Sequence, residues 1–272
     1  MKDGKIQKMF EEIYNKYPIN ISDGIPCFGN EDDGDFFTEE ELSLWDSEFF
    51  HHKLSDKKLI ENSVTHHLLT ELKKEKLIID LASGPGMGLI SSILQINPNI
   101  LCMVTDANFS VLRKWNAFLS NNTDYNKTTF AQFSLMDIPF QSNSVEAYSS
   151  FIGLSSTKGG QSGYERVTSE VFRTLRSGGK LFTVEVDWAN IPLIIDLFNK
   201  INQKPWEIFT DAMATGNISW ESRLKNAGFK ILYQDLFDYR TLRENDNELG
   251  KAAADYGYDI DMNFTAFIAQ KE

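Results

Sequence analysis

The stretch from Leu77 to Gly88 reads Leu-Ile-Ile-Asp-Leu-Ala-Ser-Gly-Pro-Gly-Met-Gly. A short apolar run ends in Asp80 and then in glycines at alternate positions. That pattern suits a buried parallel strand turning tightly into a helix around a small, partly charged ligand. Gly84, Gly86 and Gly88 carry no side chain, so the backbone can approach the ligand closely. The first turn of the following helix offers free N–H groups to a carboxylate or phosphate. A second apolar run, Ile100 to Thr105, ends in Asp106. An acid at that strand tip is placed to grip ribose hydroxyls. Together the two segments predict a nucleoside-containing cofactor.

The glycine spacing narrows the choice. A dinucleotide fingerprint, G-x-G-x-x-G/A, puts its third small residue at position 89, where this chain has Leu89. No G-x-x-x-x-G-K-[ST] segment occurs, which excludes a P-loop.

The next hundred residues decide. Ser134-Leu-Met-Asp-Ile-Pro-Phe140 precedes Ser144-Val-Glu-Ala-Tyr-Ser-Ser150, and Glu170-Val-Phe-Arg-Thr-Leu-Arg-Ser-Gly-Gly-Lys-Leu-Phe-Thr-Val-Glu185 follows. This series resembles the class I S-adenosylmethionine-dependent methyltransferases. It is most similar to the small-molecule branch (methyltransferase type 11), which includes quinone-biosynthesis enzymes. Ile138, Pro139, Phe140, Ser144, Glu170, Arg173, Leu175, Gly178 and Gly179 match that branch in order and spacing. The resemblance covers residues 76–188 well. Three positions depart from it. Ala82 stands where the family often has glycine, Ser134 where it has the acid near the adenine amino group, and Val145-Glu146 where it has Phe-Asp.

The resemblance implies a Rossmann-like, seven-stranded, mostly parallel sheet. Its last strand is antiparallel, and helices cover both faces. It implies S-adenosyl-L-methionine as cofactor and S-adenosyl-L-homocysteine as product. Carried over by position, the cofactor-binding residues are Asp80, Ala82, Ser83, Gly84, Gly86, Asp106, Ala107, Asn108, Ser134, Leu135, Phe151 and Gly153. Asp80 would position the methionyl part and Asp106 the ribose. Ala107 and Asn108 would flank the adenine. Phe151 and Gly153 would end the fourth strand of that sheet, at the switch point where ligands bind. Glu170 and Arg173 read as a structural pair on one helix, and Gly178-Gly179 as a helix-ending turn.

The elements that must position these residues follow from periodicity. Strands are expected at 76–81, 100–105, 128–133, 146–152 and 180–187, with two more runs at 229–241 and 262–270. Helices are expected at 87–96, 108–119 and 163–176. Strands alternating with helices give a parallel sheet covered on both faces. Residues 1–75 read as an N-terminal helical lid that also binds the acceptor, and 76–272 as the methyltransferase domain. In the lid, Ile6, Met9, Phe10, Ile13 and Tyr17 have helical spacing, 19–38 reads as a loop, and helices are expected at 39–50 and 56–74 with Asp56 as N-cap. The insertions 189–218 and 243–261 exceed minimal connectors and are expected to help hold the acceptor. Trp206, Phe209 and Trp220 read as core or as pocket wall.

Methyl transfer needs a base only if the acceptor must lose a proton. Candidates are His51, His52, Asp187 and Tyr17. His66 and His67 form a second pair, with His67 expected to pack against the core. Adjacent residues on a helix point about 100° apart, so neither pair chelates one ion, and no metal site is expected. Cys27 and Cys102 suggest no disulfide; Cys102 reads as core and Cys27 as a loop residue.

The net charge of −12 argues against a nucleic-acid substrate, which favours a basic face. The sequence Phe151-Ile-Gly-Leu154 also lacks the [DN]-P-P-[YFW] motif of base-amino methyltransferases. No leader-like or membrane-spanning run of about 18 apolar residues is seen, so a cytoplasmic location and a small-molecule acceptor are expected. Oligomeric state and the attacked atom are not readable. Two alternatives stay open: a cofactor-binding module without catalysis, and a nicotinamide-dependent oxidoreductase, which Leu89 disfavours.

Overall fold

The computed structural model describes residues 10–29, 39–121, 125, 127–244 and 248–272. Positions 1–9 and 30–38 of the expected lid, including Ile6 and Met9, lie outside the described residues.

A short hairpin, β1 (Asn20–Ser22) and β2 (Ile25–Cys27), comes first. Four helices follow: α1 (Glu39–Ser43), α2 (Ser47–Ser55), α3 (Lys58–Glu61) and α4 (Ser63–Leu72). The alternating core runs β3 (Leu77–Leu81), α5 (Gly88–Ile96), β4 (Leu101–Asp106), α6 (Phe109–Ser120), β5 (Thr128–Gln132), β6 (Val145–Phe151), α7 (Gly160–Thr174) and β7 (Leu175–Trp188). Then come α8 (Ile191–Lys200), α9 (Glu207–Thr215), α10 (Trp220–Asn226), β8 (Phe229–Thr241), α11 (Glu248–Tyr256) and β9 (Asp261–Lys271).

The described strands form one sheet in the order β1-β2-β5-β4-β3-β6-β7-β9-β8. Strands β5, β4, β3, β6 and β7 run parallel to one another, and β9 runs antiparallel to both β7 and β8. This is the Rossmann-like, mostly parallel sheet expected, with the final strand antiparallel. It is wider than seven strands because residues read as loop form β1 and β2. Asp23 and Gly24 both have positive φ (51° and 75°), the mark of a tight type I′ hairpin turn. The hairpin adds to the β5 edge through Cys27, which pairs with Gln132. Cys27 is therefore buried in a strand, not exposed in a loop.

Strand β3 is buried on both faces, as a central parallel strand must be. Its side chains alternate between faces: Ile78 joins one core cluster, while Ile79 and Leu81 join the other. The first cluster holds Leu89, Ile93, Leu112 and Trp115 from α5 and α6, with Phe50 and Leu54 of α2 and Leu68, Leu69 and Leu72 of α4. Phe50 meets Trp115 edge-on, ring centroids 4.6 Å apart, which clamps α2 to α6. Burying each such aromatic contributes about 2–3 kcal/mol. Phe10 and Phe28 lie in the opposite cluster, with Phe133, Phe140 and Tyr148. The N-terminal segment thus contributes to both faces of the sheet.

Three expected elements differ in detail. The helix expected at 56–74 breaks at Asn62, whose side chain caps α4 by accepting from the Val64 and Thr65 amides at 2.9 and 3.2 Å. Asp56 accepts from the Lys58 amide at 2.9 Å. Helix α7 starts at Gly160 and ends at Thr174, so Gly178-Gly179 does not end it. Those glycines lie within β7, where the register with β6 jumps from Val145–Leu175 to Ala147–Lys180. The insertions 189–218 and 243–261 contain helices α8, α9 and α11.

Candidate functional site

Strand order reverses between β3 and β6, because β4 follows β3 on one side while β6 lies on the other. Such a switch point leaves a crevice at the carboxyl ends of the strands. A cavity of about 850 Å³ opens there. Residues just past β3, β4, β5 and β6 line it, including Ala82, Ser83, Gly84, Gly86, Asp106, Ala107, Ser134, Leu135, Phe151 and Gly153. Ten of the twelve sequence-expected cofactor residues therefore share one wall. Asp80 and Asn108 lie behind it.

The turn after β3 is held by its backbone. Ala82, Gly84, Met87 and Gly88 have positive φ (47°, 57°, 51° and 42°). A Cβ added at Gly84 or Gly86 would meet nothing within 4 Å, so both open onto free space. Gly88 and Gly153 are different. A Cβ at Gly88 would come within 2.9 Å of Phe151 Cβ. At Gly153 it would come within 2.5 Å of Ser150 Oγ and 2.8 Å of the Leu81 carbonyl. These glycines let the ends of β3 and β6 and the start of α5 close against one another. Ile152, at the end of β6, has φ +62°, unfavourable for a β-branched residue. Strain of this kind collects where surrounding contacts enforce it, often at functional sites.

Two carboxylates flank the turn. Asp106 Oδ2 accepts from the Gly84 amide at 2.9 Å, and Oδ1 from the Asn108 amide at 2.8 Å. Burial pushes its carboxyl above the ordinary range, and those amides oppose the shift. Asn108 caps α6 by accepting from the Val111 amide at 3.2 Å. Asp80 is 1% exposed. Its Oδ1 accepts from Ser149 Oγ on β6 at 2.5 Å, and its Oδ2 has no hydrogen-bond partner. Burial raises its pKa to about 7. A buried carboxylate oxygen without a donor is costly, and the protonated form favoured by the raised pKa lessens that cost.

Ser134 lines the cavity and accepts from the Met136 amide at 3.3 Å. Asp137, three residues on, is exposed and pairs with Lys16 at 2.6 Å. The nearest acid in sequence thus faces away from the site. Glu170 and Arg173 hold this loop from α7. Glu170 Oε2 accepts from the Ile138 amide at 3.1 Å and from Arg173 Nη2 at 2.8 Å, while Arg173 donates to the Phe140 and Ile138 carbonyls at 2.9 Å each. They fix the helix and the loop together.

The structure brings none of the base candidates into the cavity lining. Tyr17 is 95% exposed. His51 and His52 lie on the exposed side of α2, with the His51 ring edge-on to Phe118 at 4.9 Å. Asp187 is occupied as a cap: it accepts from the Trp220 amide at 3.1 Å, starting α10. Its pKa rises to about 6 through burial. His67 is exposed and lies 4.3 Å from the Tyr233 ring, not in the core. Phe209 and Trp220 are buried, Trp206 is half exposed, and none of the three lines the cavity. Among the described residues, the insertions 189–218 and 243–261 contribute no lining residue either.

Reading along the sequence missed the rest of the lining. Lys53, Asp56, Lys58 and Leu59 come from α2, α3 and their junction, Ser91 and Ser92 from α5, Met136 from the loop after β5, Ser156, Thr157 and Lys158 from the β6–α7 loop, and Phe237 from β8. Ser91, Ser92, Met136 and Ser156 to Lys158 could have been found from their position next to strand ends or on the glycine helix; the residues of α2, α3 and β8 carry no such signal. Glu185 supports that β6–α7 loop from below. It is fully buried, accepts from the Ser155 amide at 2.8 Å and from Thr183, and burial raises its pKa to about 7. Arg223, 4% exposed, donates to Gln161 at the start of α7 and lies 4.9 Å over the Tyr164 ring. Among the described residues no cluster of three metal-ligating side chains occurs, and no helix is long and apolar enough to cross a membrane.

Comparison with solved structures places this fold among methyltransferases. The MccD protein superposes with a TM-score of 0.55 at 13% identity, covering 76% of this chain and 97% of its own. A candidate methyltransferase from Bacillus halodurans C-125 gives 0.50 at 17% identity, covering 75% and 96%. A candidate sarcosine dimethylglycine methyltransferase from Galdieria sulphuraria gives 0.52 at 12% identity, covering 76% and 84%. At such identities the likeness carries the fold alone. No curated protein matches the chain in sequence. The sequence pattern of one family matches residues 51–211, which span the glycine turn, both strand-tip acids and the loop after β6. The chain belongs to the ubiE/COQ5 methyltransferase family.

Proposed function

We propose that this chain transfers the methyl group of S-adenosylmethionine to a small-molecule acceptor. The observation that carries the reading is the open glycine cradle at Gly84 and Gly86, braced by Asp106, which accepts from the Gly84 amide and lines the same cavity. That donor and acceptor set fits the cofactor. Asp106 would take ribose hydroxyls, Ala107, Ser134 and Leu135 the adenine, and Ala82, Gly84 and Gly86 the amino-acid end, with Asp80 behind them. The cofactor, when bound, supplies a methyl group made electrophilic by its positive sulfur.

The protein's part is orientation and exclusion of water. Phe151, Ile152 and Phe237 offer an apolar wall beside the strand ends. Phe237 meets Phe151 edge-on at 5.7 Å. Among the described lining residues there is no histidine, tyrosine, cysteine or glutamate. An acceptor that attacks without first losing a proton suits such a wall, and Asp56 is the acid of the described lining that the cofactor assignment leaves over for one that does. The cavity volume lies toward the upper end of the ordinary range for small-molecule sites, roughly 300–1,000 Å³, which allows room beside the cofactor. A cytoplasmic enzyme with a small soluble or lipid-like acceptor is the form we favour.

The same lack of a base keeps a second reading open, a cofactor-binding module without catalysis. Production of S-adenosylhomocysteine from S-adenosylmethionine separates the two. Incubation with hydroquinones, phenols and small amines should reveal acceptor-dependent product for an enzyme. Cofactor binding with no such product across those classes would favour the module.

A further inference from the structure

We propose that the outer edge of β8 pairs antiparallel with the same edge of a second copy of this chain, about a twofold axis at Gln234. One sheet then runs unbroken through both copies. The inference stands apart from the cofactor reading, because it uses a different surface and a different readout. Three observations converge on it.

The first is the edge itself. β8 is the last strand in the sheet order, and among the described residues only β9 pairs with it. It has 13 residues, where most strands have about 5–6. The opposite edge strand, β1, has three. An outer row of N–H and C=O groups is a template for another strand. β8 is braced on both faces and open along that row. Gln234 donates to Glu221 of α10 at 3.2 Å, and the Tyr233 ring lies 4.3 Å from the His67 ring of α4.

The second is what the strand exposes. Every even-numbered residue from Lys230 to Arg240 is exposed. Two of these are leucines, Leu232 and Leu236, 46% and 53% exposed. Edge strands are ordinarily kept short or blunted with charge. Large apolar side chains in that row call for a cover.

The third is self-complementarity, which selects a second copy as the cover. In a twofold pair residue i meets j and j meets i. With Gln234 opposite itself, Leu232 meets Leu236 and Lys230 meets Asp238, all on the same exposed face. Asp238 has no ion-pair partner among the described residues, and Lys230 has only the exposed Glu272 carboxylate, at 2.9 Å. An exposed pair of that kind contributes little. On the other face Ile231 meets Phe237. The neighbouring registers match poorly. Centring on Asp235 sets that carboxylate against its own copy and Lys230 against Arg240, and like charges directly opposite are destabilising. Centring on Tyr233 sets Lys230 against Leu236. The register about Gln234 alone of the three matches charge with charge and apolar with apolar. It also brings together the two places, 231–233 and 236–238, where β8 shifts register with β9. Phe237 lines the cavity, so the pairing braces that wall as well.

Sedimentation velocity of the full chain over a dilution series tests the pairing. The wild type is compared with Lys230→Asp, Asp238→Lys, the Lys230→Asp/Asp238→Lys double variant and an equimolar mixture of the two single variants. The wild type should sediment as a dimer. Each single variant sets like charges opposite one another on both sides of the axis, and its dimer should dissociate about tenfold or more readily. The double variant reverses both pairs and should restore the dimer. The mixture should form a dimer of unlike chains, which also shows that each single variant is folded. A wild type that stays monomeric throughout the series overturns the proposal and leaves the edge to a different chain. A dimer that the single variants do not weaken, or one that the double variant and the mixture fail to restore, overturns it too.

Discussion

The Asp106 carboxylate holds the Gly84 amide at 2.9 Å across the gap between the second core strand and the glycine turn. One side chain therefore shapes the turn and presents its charge to the cavity. Asp106→Ala should weaken S-adenosylhomocysteine binding by about tenfold or more, because a charged acceptor contributes roughly 1.5–3 kcal/mol per hydrogen bond. Asp106→Asn, which keeps one acceptor oxygen, should lose less. Equal affinity in all three proteins would restrict Asp106 to bracing the turn.

Asp80 titrates near neutrality, at about 7, because it is buried. A cationic ligand beside it favours the carboxylate, so binding of S-adenosylmethionine should release a proton. Affinity should rise with pH through about 7, and Asp80→Asn should flatten that rise. A pH-independent affinity in the wild type would remove Asp80 from the site.

Stability of the ligand-free protein should run the other way. Burial raises both Asp80 and Glu185 to about 7. Folding therefore favours their protonated forms. The stabilising contribution is complete below the ordinary carboxylate range and is lost as pH rises through about 7. Melting temperature should fall between about pH 5 and pH 8. Glu185→Gln, which keeps the acceptor for the Ser155 amide, should reduce the fall. A melting temperature that climbs across this range would show that other groups dominate.

Gly153 is enclosed by Ser150 Oγ, the Leu81 carbonyl and Ala82 Cβ, at 2.5, 2.8 and 3.0 Å from a built Cβ. Gly153→Ala should cost about 1–3 kcal/mol through overpacking and should separate the tips of β3 and β6. Thermal unfolding should show a drop of several degrees, with weaker cofactor binding. Gly86→Ala meets no protein atom, so it should spare stability and reduce binding alone. A stability loss at Gly86 equal to that at Gly153 would contradict the open cradle.

Glu170 joins Arg173 to the Ile138 amide. Glu170→Ala strands a half-buried guanidinium and a buried amide, and should cost about 2–3 kcal/mol. Glu170→Gln should recover part of it. Urea unfolding midpoints would check the order, and no loss in the alanine variant would show that the loop rests on its apolar contacts.

The strands of the core were legible because buried parallel strands are short apolar runs ended by punctuation. The run before Asp80 and the run before Asp106 each fall within a residue of β3 and β4. The cavity wall at the strand ends was legible for the same reason, since it is built from residues next to strand ends. The β1–β2 hairpin was missed because Gly, Asp and Pro dominate its surroundings. The signal was present in Asp23-Gly24 between Ile21 and Ile25, a turn pair flanked by apolar residues. The far wall was not legible. Lys53, Lys58 and Phe237 come from three separate elements, and only tertiary packing brings them together. The histidine pairs drew attention by type, yet all four histidines are exposed. Residue type alone does not reveal which side of an amphipathic helix faces a cavity.

Isothermal titration of the protein with S-adenosylhomocysteine, and in parallel with NAD, tests the central claim most directly. The account predicts saturable, one-to-one binding of S-adenosylhomocysteine in the micromolar range, weakened by Asp106→Ala, and no measurable heat with NAD. Binding of NAD in preference to S-adenosylhomocysteine, or of neither, would contradict it.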